Sequence, residues 1–126
     1  MRPKTLAEVA ELALAGETFD LGLRNFLDEF YLHPCSAALE AEPPRMKEAF
    51  QRMGEVQDAY LAATAEELAR KSGLDGPSWA YDASRELRDP WFAMNLAALR
   101  AVLLLESPAG FRSRNLFVSE NALSRV

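Results

Sequence analysis

Along the first third of the chain, apolar residues return every three or four positions, the helical period. Leu6, Val9, Ala10, Ala13 and Leu14 mark one face, opened by Thr5-Leu-Ala-Glu8 and closed by Gly16. That opening has capping-box spacing: the threonine hydroxyl accepts from an early helical amide while the glutamate reaches back. Phe19, Leu23, Phe26, Leu27 and Phe30 mark a second helix from about Asp20 to Leu32. His33-Pro34 ends it, because the proline ring disfavours helix at the preceding residue. Pro34 can itself open a short helix across Cys35–Glu42, since the first helical position needs no amide hydrogen.

Beyond Pro43-Pro44, one long amphipathic face runs through Met46, Phe50, Met53, Val56, Tyr60, Leu61, Thr64 and Leu68. Gly73 is the expected stop, and Arg70 and Lys71 suit the negative end of the helix dipole. Gly54 inside this stretch costs up to about 1 kcal/mol relative to alanine. That predicts a break or a close crossing by another helix, and we favour one continuous helix with a close crossing. The stretch before Asp89 is a connector of weak periodicity. From Trp91 to Leu105, apolar residues lie on nearly every side: Trp91, Phe92, Met94, Leu96, Leu99, Val102, Leu103, Leu104 and Leu105. A helix apolar all round is buried on most faces. Residues 90–106 are therefore expected to form the central helix, capped by Asp89 with Pro90 at its first position. Leu116-Phe-Val118 alone has strand-like composition, and no alternating run elsewhere offers it a partner. The predicted fold is all-α, a single domain over residues 1–126. It has five or six helices around 90–106, and residues 111–126 form an extended or interacting tail.

Composition narrows the picture. Half the 126 residues are hydrophobic (49%) and 26% are charged, a balance that argues against disorder over most of the chain. The net charge of −5 sits in the front part: residues 1–72 carry eight basic and thirteen acidic side chains, residues 73–126 six of each. Phosphate binding needs a positive field, so the global charge weighs against nucleic acid. Cys35 is the single cysteine, which excludes an intrachain disulfide and points to a reducing cytoplasm. Glu8 and Glu11 interrupt the N-terminal apolar run, unlike a secretory signal. LAALRAVLLLE is far too short to span a bilayer.

Candidate chemistry is sparse. His33 and Cys35, with Glu29 one turn earlier, cannot supply the four ligands of a structural zinc site. Two residues apart across a proline, His33 and Cys35 tend to diverge, whereas nucleophilic catalysis needs them within hydrogen-bond reach. No glycine-rich phosphate loop or nucleophile elbow is present. Glu66-Glu67 and Asp28-Glu29 are neighbours in sequence, so they point in different directions on a helix and are expected to be solvated. We therefore expect no catalytic, metal or cofactor residues. Trp79 and Tyr81 either fold over the start of the central helix or offer an exposed anchor to a partner. In the tail, Arg112 and Arg114 alternate with Ser113 and Asn115 ahead of Leu116-Phe117-Val118. Such an apolar stretch is either laid along the domain or an interface. The partner-binding candidates are Arg112, Arg114, Phe117, Trp79 and Arg125.

The order Asn25-Phe-Leu-Asp28-Glu-Phe30, Trp79, Pro90-Trp-Phe, Leu99-Arg100-Ala, Glu106-Ser-Pro108, Phe111-Arg-x-Arg-Asn115-x-Phe117-Val and Ala122-Leu-Ser-Arg125 resembles a group of small uncharacterised bacterial proteins. The likeness covers nearly the whole chain, and its most specific part is the Glu-Ser-Pro…Phe-Arg-x-Arg-Asn ending. Several such proteins are encoded beside a small nucleotidyltransferase-like protein, in an arrangement similar to toxin–antitoxin pairs. The resemblance implies a non-enzymatic, antitoxin-like module that binds the product of an adjacent gene. A nucleic-acid-binding regulator using the C-terminal arginines, with Arg85 and Arg88 nearby, is the rival. A small-molecule-binding helical domain ranks third, and homodimerisation through the tail is compatible with each.

Overall fold

The computed structural model of the chain describes residues 2–94 and 97–125. The front of the molecule follows the periodicity. Helix α1 (Leu6–Leu14) is opened by Thr5, whose hydroxyl accepts from the Glu8 amide at 3.1 Å. The Glu8 carboxylate accepts from the Lys4 amide at 3.3 Å, completing a capping box shifted by one residue. Gly16, at φ +109°, turns the chain out of the helix, in a region that L side chains rarely adopt. Helix α2 (Phe19–Leu32) packs against α1 and buries Leu23, Phe26, Leu27 and Phe30. Helix α3 is shorter than expected, Ala37–Glu40, and fixes Leu39 in the core.

The long helix expected from Met46 is broken. Helix α4 covers Lys47–Phe50 and α5 covers Arg52–Lys71, with Gln51 between them at φ +55° and ψ −123°. The cause is a distant carboxylate. Asp58, two turns into α5, accepts from the Met46 amide at 2.8 Å and the Lys47 amide at 3.3 Å. This folds the start of α4 back onto α5 and leaves Gln51 in a strained conformation. The Met46 carbonyl oxygen then lies 2.1 Å from where a Cβ on Gly54 would stand. The close approach expected at Gly54 is thus real, but it comes from the folded-back chain and not from a crossing helix. At its far end α5 stops as expected. Gly73 sits at φ +67°, with the Leu74 amide donating to the Ala69 carbonyl at 2.8 Å, the Schellman arrangement.

The centre of the molecule is α5. It buries Val56, Ala59, Leu61, Ala62, Ala63, Ala65, Leu68 and Ala69. It is met by α4, by two short 3-10 turns (Ser78–Tyr81 and Ala83–Arg85) and by the segments that follow residue 108. Its many alanines let backbones approach closely from several directions.

The expectation of a central helix at 90–106 is corrected. Trp91–Phe92 forms a strand, β1, and the helix in this region, α6, is described from Ala97 to Glu106. Leu103 is 2% exposed, while Leu99, Val102, Leu104 and Leu105 are exposed. Leu96, assigned to the same helix by its pattern, lies outside the described residues. A helix with apolar side chains all round demands cover but does not specify who supplies it. Here the flank of α5 is already taken by helix α7 (Ala109–Arg112) and strand β2 (Leu116–Phe117), and α6 reaches the body through β2.

The strand partner judged missing for Leu116–Val118 is β1. The two pair in parallel, Trp91 beside Leu116 and Phe92 beside Phe117. The Trp91 amide donates to the Asn115 carbonyl at 2.9 Å and the Ala93 amide to the Phe117 carbonyl at 3.0 Å. The Phe92 and Phe117 rings stack with centroids 5.0 Å apart. Helices α6 and α7 form the crossover that parallel strands require. The fold is therefore mostly helical, with one two-stranded parallel sheet.

Two substitutions test the hinge by urea unfolding. Gly54→Ala should lower stability by roughly 1–3 kcal/mol, because backbone lies where the methyl must go. Gln51→Gly should raise it by about 1 kcal/mol by relieving strain. A Gln51→Gly protein less stable than the parent would contradict the strain assignment.

Candidate functional site

The tail singled out in the sequence is built into the body by one arginine. Arg114 is 3% exposed, and its guanidinium donates to Glu66 Oε1 at 2.8 Å, the Gly110 carbonyl at 2.6 Å and the Ala80 carbonyl at 2.6 Å. Beside it, the buried Glu67 accepts from the Gly110 amide at 2.9 Å and from Arg70. Arg70 also donates to Glu66 at 2.6 Å. Gly110 lets the two approach closely: a Cβ there would stand 2.8 Å from Glu67 Oε2 and displace that carboxylate. The two adjacent glutamates expected to be solvated thus form one internal anchor with two arginines. Their neighbouring positions on α5 let one carboxylate take the Arg114 side chain and the other the Gly110 amide.

A second buried arginine stands in the second 3-10 turn. Arg85 is 0% exposed. It donates to the Pro43 carbonyl at 2.7 Å, the Asp58 carbonyl at 3.1 Å and Glu42 at 3.3 Å, and lies 4.8 Å above the Trp79 ring. Burial pulls its pKa down, and the nearby Arg45 charge adds to that. Trp79 is buried too, with Nε1 donating to the Leu39 carbonyl at 2.9 Å. Burial raises the pKa of Asp58, against the opposing effect of the Met46 amide.

The five residues expected to bind a partner therefore do not share a surface. Arg114, Phe117 and Trp79 are interior, and Trp79 packs into the core beside Leu39 rather than over the start of a central helix, while Tyr81 is exposed. Arg125 is exposed but paired with Asp28 at 2.8 Å, and Tyr31 holds the adjoining Leu123 carbonyl at 2.7 Å. Arg112 is exposed and makes no ion pair among the described residues. Phe117 is sealed because its ring completes the stack on Phe92. Of the two arrangements left open for the tail, the structure has the one laid along the domain, with Leu116, Phe117, Val118 and Leu123 buried.

What faces outward is α6. At about 100° per residue, Ala101, Val102, Leu104 and Leu105 span an arc on the side away from Leu103. Leu105 is 85% exposed. Met94 is exposed as well, and Arg100 stacks on Phe92 at 5.1 Å. Burying each large aliphatic side chain contributes roughly 1.5–3 kcal/mol. A row of them left in water is a driving force for association. The sequence signal was present in the all-round apolar pattern, but it pointed to burial within the chain.

A cavity of about 780 Å³ lies elsewhere, against Arg45, Lys47, Arg52 and Arg88. Its rim mixes these cations with Glu48, Glu55, Asp58, Glu86 and Asp89, so it presents no dominant charge. Lys47 and Arg52 both lean on Glu55 at 3.9 Å. His33 and Cys35 line a small cleft with Glu29 and Lys4. Among the described residues, no group of three or more His, Cys, Asp or Glu side chains could hold a metal ion. Among the described residues, no helix is long and apolar enough to cross a membrane. Comparison with protein-family models, curated proteins and solved structures finds no match.

Removing the anchor should be severe: Arg114→Ala should lower stability by about 3–5 kcal/mol, because it strands Glu66 without its buried partner. A loss below 1 kcal/mol in urea unfolding would show that the anchor carries little.

Carboxyl NMR titration should separate two aspartates around their ordinary value of 3.8. Asp28 should titrate below it, since the Arg125 hydrogen bond favours its charged form. Its stabilising effect is therefore present above 3.8 and lost as pH falls through its own lower midpoint. Asp58 should titrate above 3.8, so its ionisation opposes folding as pH rises through its raised midpoint. Arg125→Ala should return Asp28 toward 3.8 and leave Asp58 unmoved. The reverse order of the two midpoints would contradict the structure.

Proposed function

We propose that the protein is a non-enzymatic protein-binding module whose docking element is α6. The observation that carries this reading is the exposed apolar arc of Val102, Leu104 and Leu105 on a helix otherwise tied to the body through Leu103, Ser107 and β2. Monomeric soluble proteins rarely leave such a patch in water, and patches of this kind mark interaction sites. The tail supports the reading indirectly, since its side chains are committed to holding α6 outside. The nucleic-acid alternative loses much of its footing when Arg85 and Arg114 are interior and Arg125 is paired.

The sequence resemblance supplies the partner to try first, the nucleotidyltransferase-like product of an adjacent gene, with this chain in the antitoxin-like role. An apolar helix seated in a groove of the partner is a familiar mode of recognition. Co-expression with that neighbour tests it. The wild-type pair should co-elute in gel filtration, and Leu105→Glu should weaken the complex at least tenfold, because the glutamate would be buried without a partner. Two proteins that run separately at micromolar concentration would end the antitoxin-like reading.

A further inference from the structure

We propose that residues 46–51 are a two-state hinge: bent, as seen here, with Asp58 holding the Met46 and Lys47 amides, and straight, with α4 and α5 merged into one helix. The hinge involves neither α6 nor a partner. Its bend is built against local preference. Phe50, Met53, Val56 and Tyr60 recur at the helical period straight across Gln51, and Lys47-Glu-Ala-Phe-Gln-Arg-Met53 consists mainly of good helix formers. Gln51 nevertheless takes φ +55° and ψ −123°. That conformation suits glycine and strains a residue with a side chain. The bend also leaves the first turn of α5 without a capping side chain. In a straight helix the amides of Arg52, Met53 and Gly54 would donate to the carbonyls of Glu48, Ala49 and Phe50. Pro43-Pro44 bounds the extension.

Two contacts hold the bend. The Asp58 carboxylate accepts from the Met46 and Lys47 amides at 2.8 and 3.3 Å, and the Met46 side chain is fully buried. Both come at a cost. Burial pushes the Asp58 carboxyl up, despite the two amide donors and the Arg85 and Arg45 charges, so its ionised form is held against a loss of hydration. The Met46 carbonyl presses on Gly54, where a Cβ would meet it at 2.1 Å. Strain, unmet amides and a dehydrated carboxylate stand on one side, and one buried methionine with two hydrogen bonds on the other. These are terms of similar size, which places the two forms close in free energy.

Straightening also changes the surface. Lys47 and Glu48 of α4 line the cavity of about 780 Å³ together with Glu86, Arg88 and Asp89, so swinging α4 away removes one wall. The cavity belongs to the bent form, and whatever occupied it would hold the hinge bent.

Double electron–electron resonance on the full chain tests this, in a Cys35→Ser background with spin labels at Glu48→Cys and Arg88→Cys, both exposed positions. The parent should give the short distance of the bent form. Asp58→Ala strands the two amides, and Gly54→Ala sets a methyl against the Met46 carbonyl while favouring helix. Each should lengthen the distance by on the order of 10 Å, as one narrow population. In the same variants the amides of residues 52–54 should gain protection from hydrogen exchange. A distance that stays short in both would overturn the hinge. So would a broad distribution with residues 52–54 unprotected, which would mean that α4 only frays. The parent supplies a measurement that needs neither variant to fold. Its Met46 and Lys47 amides should exchange faster than the interior of α5, through the straight form. Gln51→Gly relieves the bend and weakens a straight helix, and should slow them roughly tenfold. Exchange of both amides only with global unfolding would overturn the proposal, as would rates that Gln51→Gly leaves unchanged.

Discussion

The position of the Arg114 guanidinium decides the rest of the architecture. Buried among Glu66, the Gly110 carbonyl and the Ala80 carbonyl, it joins α5, the first 3-10 turn and α7 at one point. A buried charge is tolerated only when its donors are met, and the three acceptors here come from three different segments. Once Arg114 is held, Leu116 and Val118 fall against α5, β2 pairs with β1, and the flank of α5 is closed. Helix α6, in the loop between the two strands, has no place left inside. Its exposure is therefore a consequence of where one arginine goes.

The uneven charge along the chain acquires a physical meaning in this frame. The acidic excess lies in residues 1–72, and the cations that meet it come from further along: Arg85 with Glu42, Arg114 with Glu66, Arg125 with Asp28. The exposed pair contributes little to stability, whereas breaking a buried one by removing a partner is costly. Together they fix which segment lies on which. Arg114 and Arg125 of the tail are thus matched to carboxylates of the same molecule, and the net −5 belongs to a body whose apolar opening carries no charge.

Much of the front half is legible from period alone, because α1 and α2 each bury one stripe and carry their own stop signals at Gly16 and Pro34. The end of α5 at Gly73 is legible for the same reason. The hinge at Gln51 is not, since its cause is the Asp58 carboxylate reaching back to Met46 and Lys47, a contact invisible to local pattern. Strands of two residues have too few positions to show alternation, which hid the pairing of Trp91–Phe92 with Leu116–Phe117. The hardest feature is α6. Its apolar pattern and that of a central helix are the same, and the difference is made by Arg114, which as an isolated arginine reads as surface.

Amide hydrogen exchange on the intact chain tests the central claim most directly. If Arg114 anchors the tail in the core, the Gly110 amide, bound to Glu67, and the Leu87 and Trp91 amides, bound to the Arg114 and Asn115 carbonyls, should exchange only with global unfolding, as slowly as the interior of α5. Exchange of these three amides at the rate of an unprotected chain would mean that the tail is free, and the account of α6 as the displaced helix would fall with it.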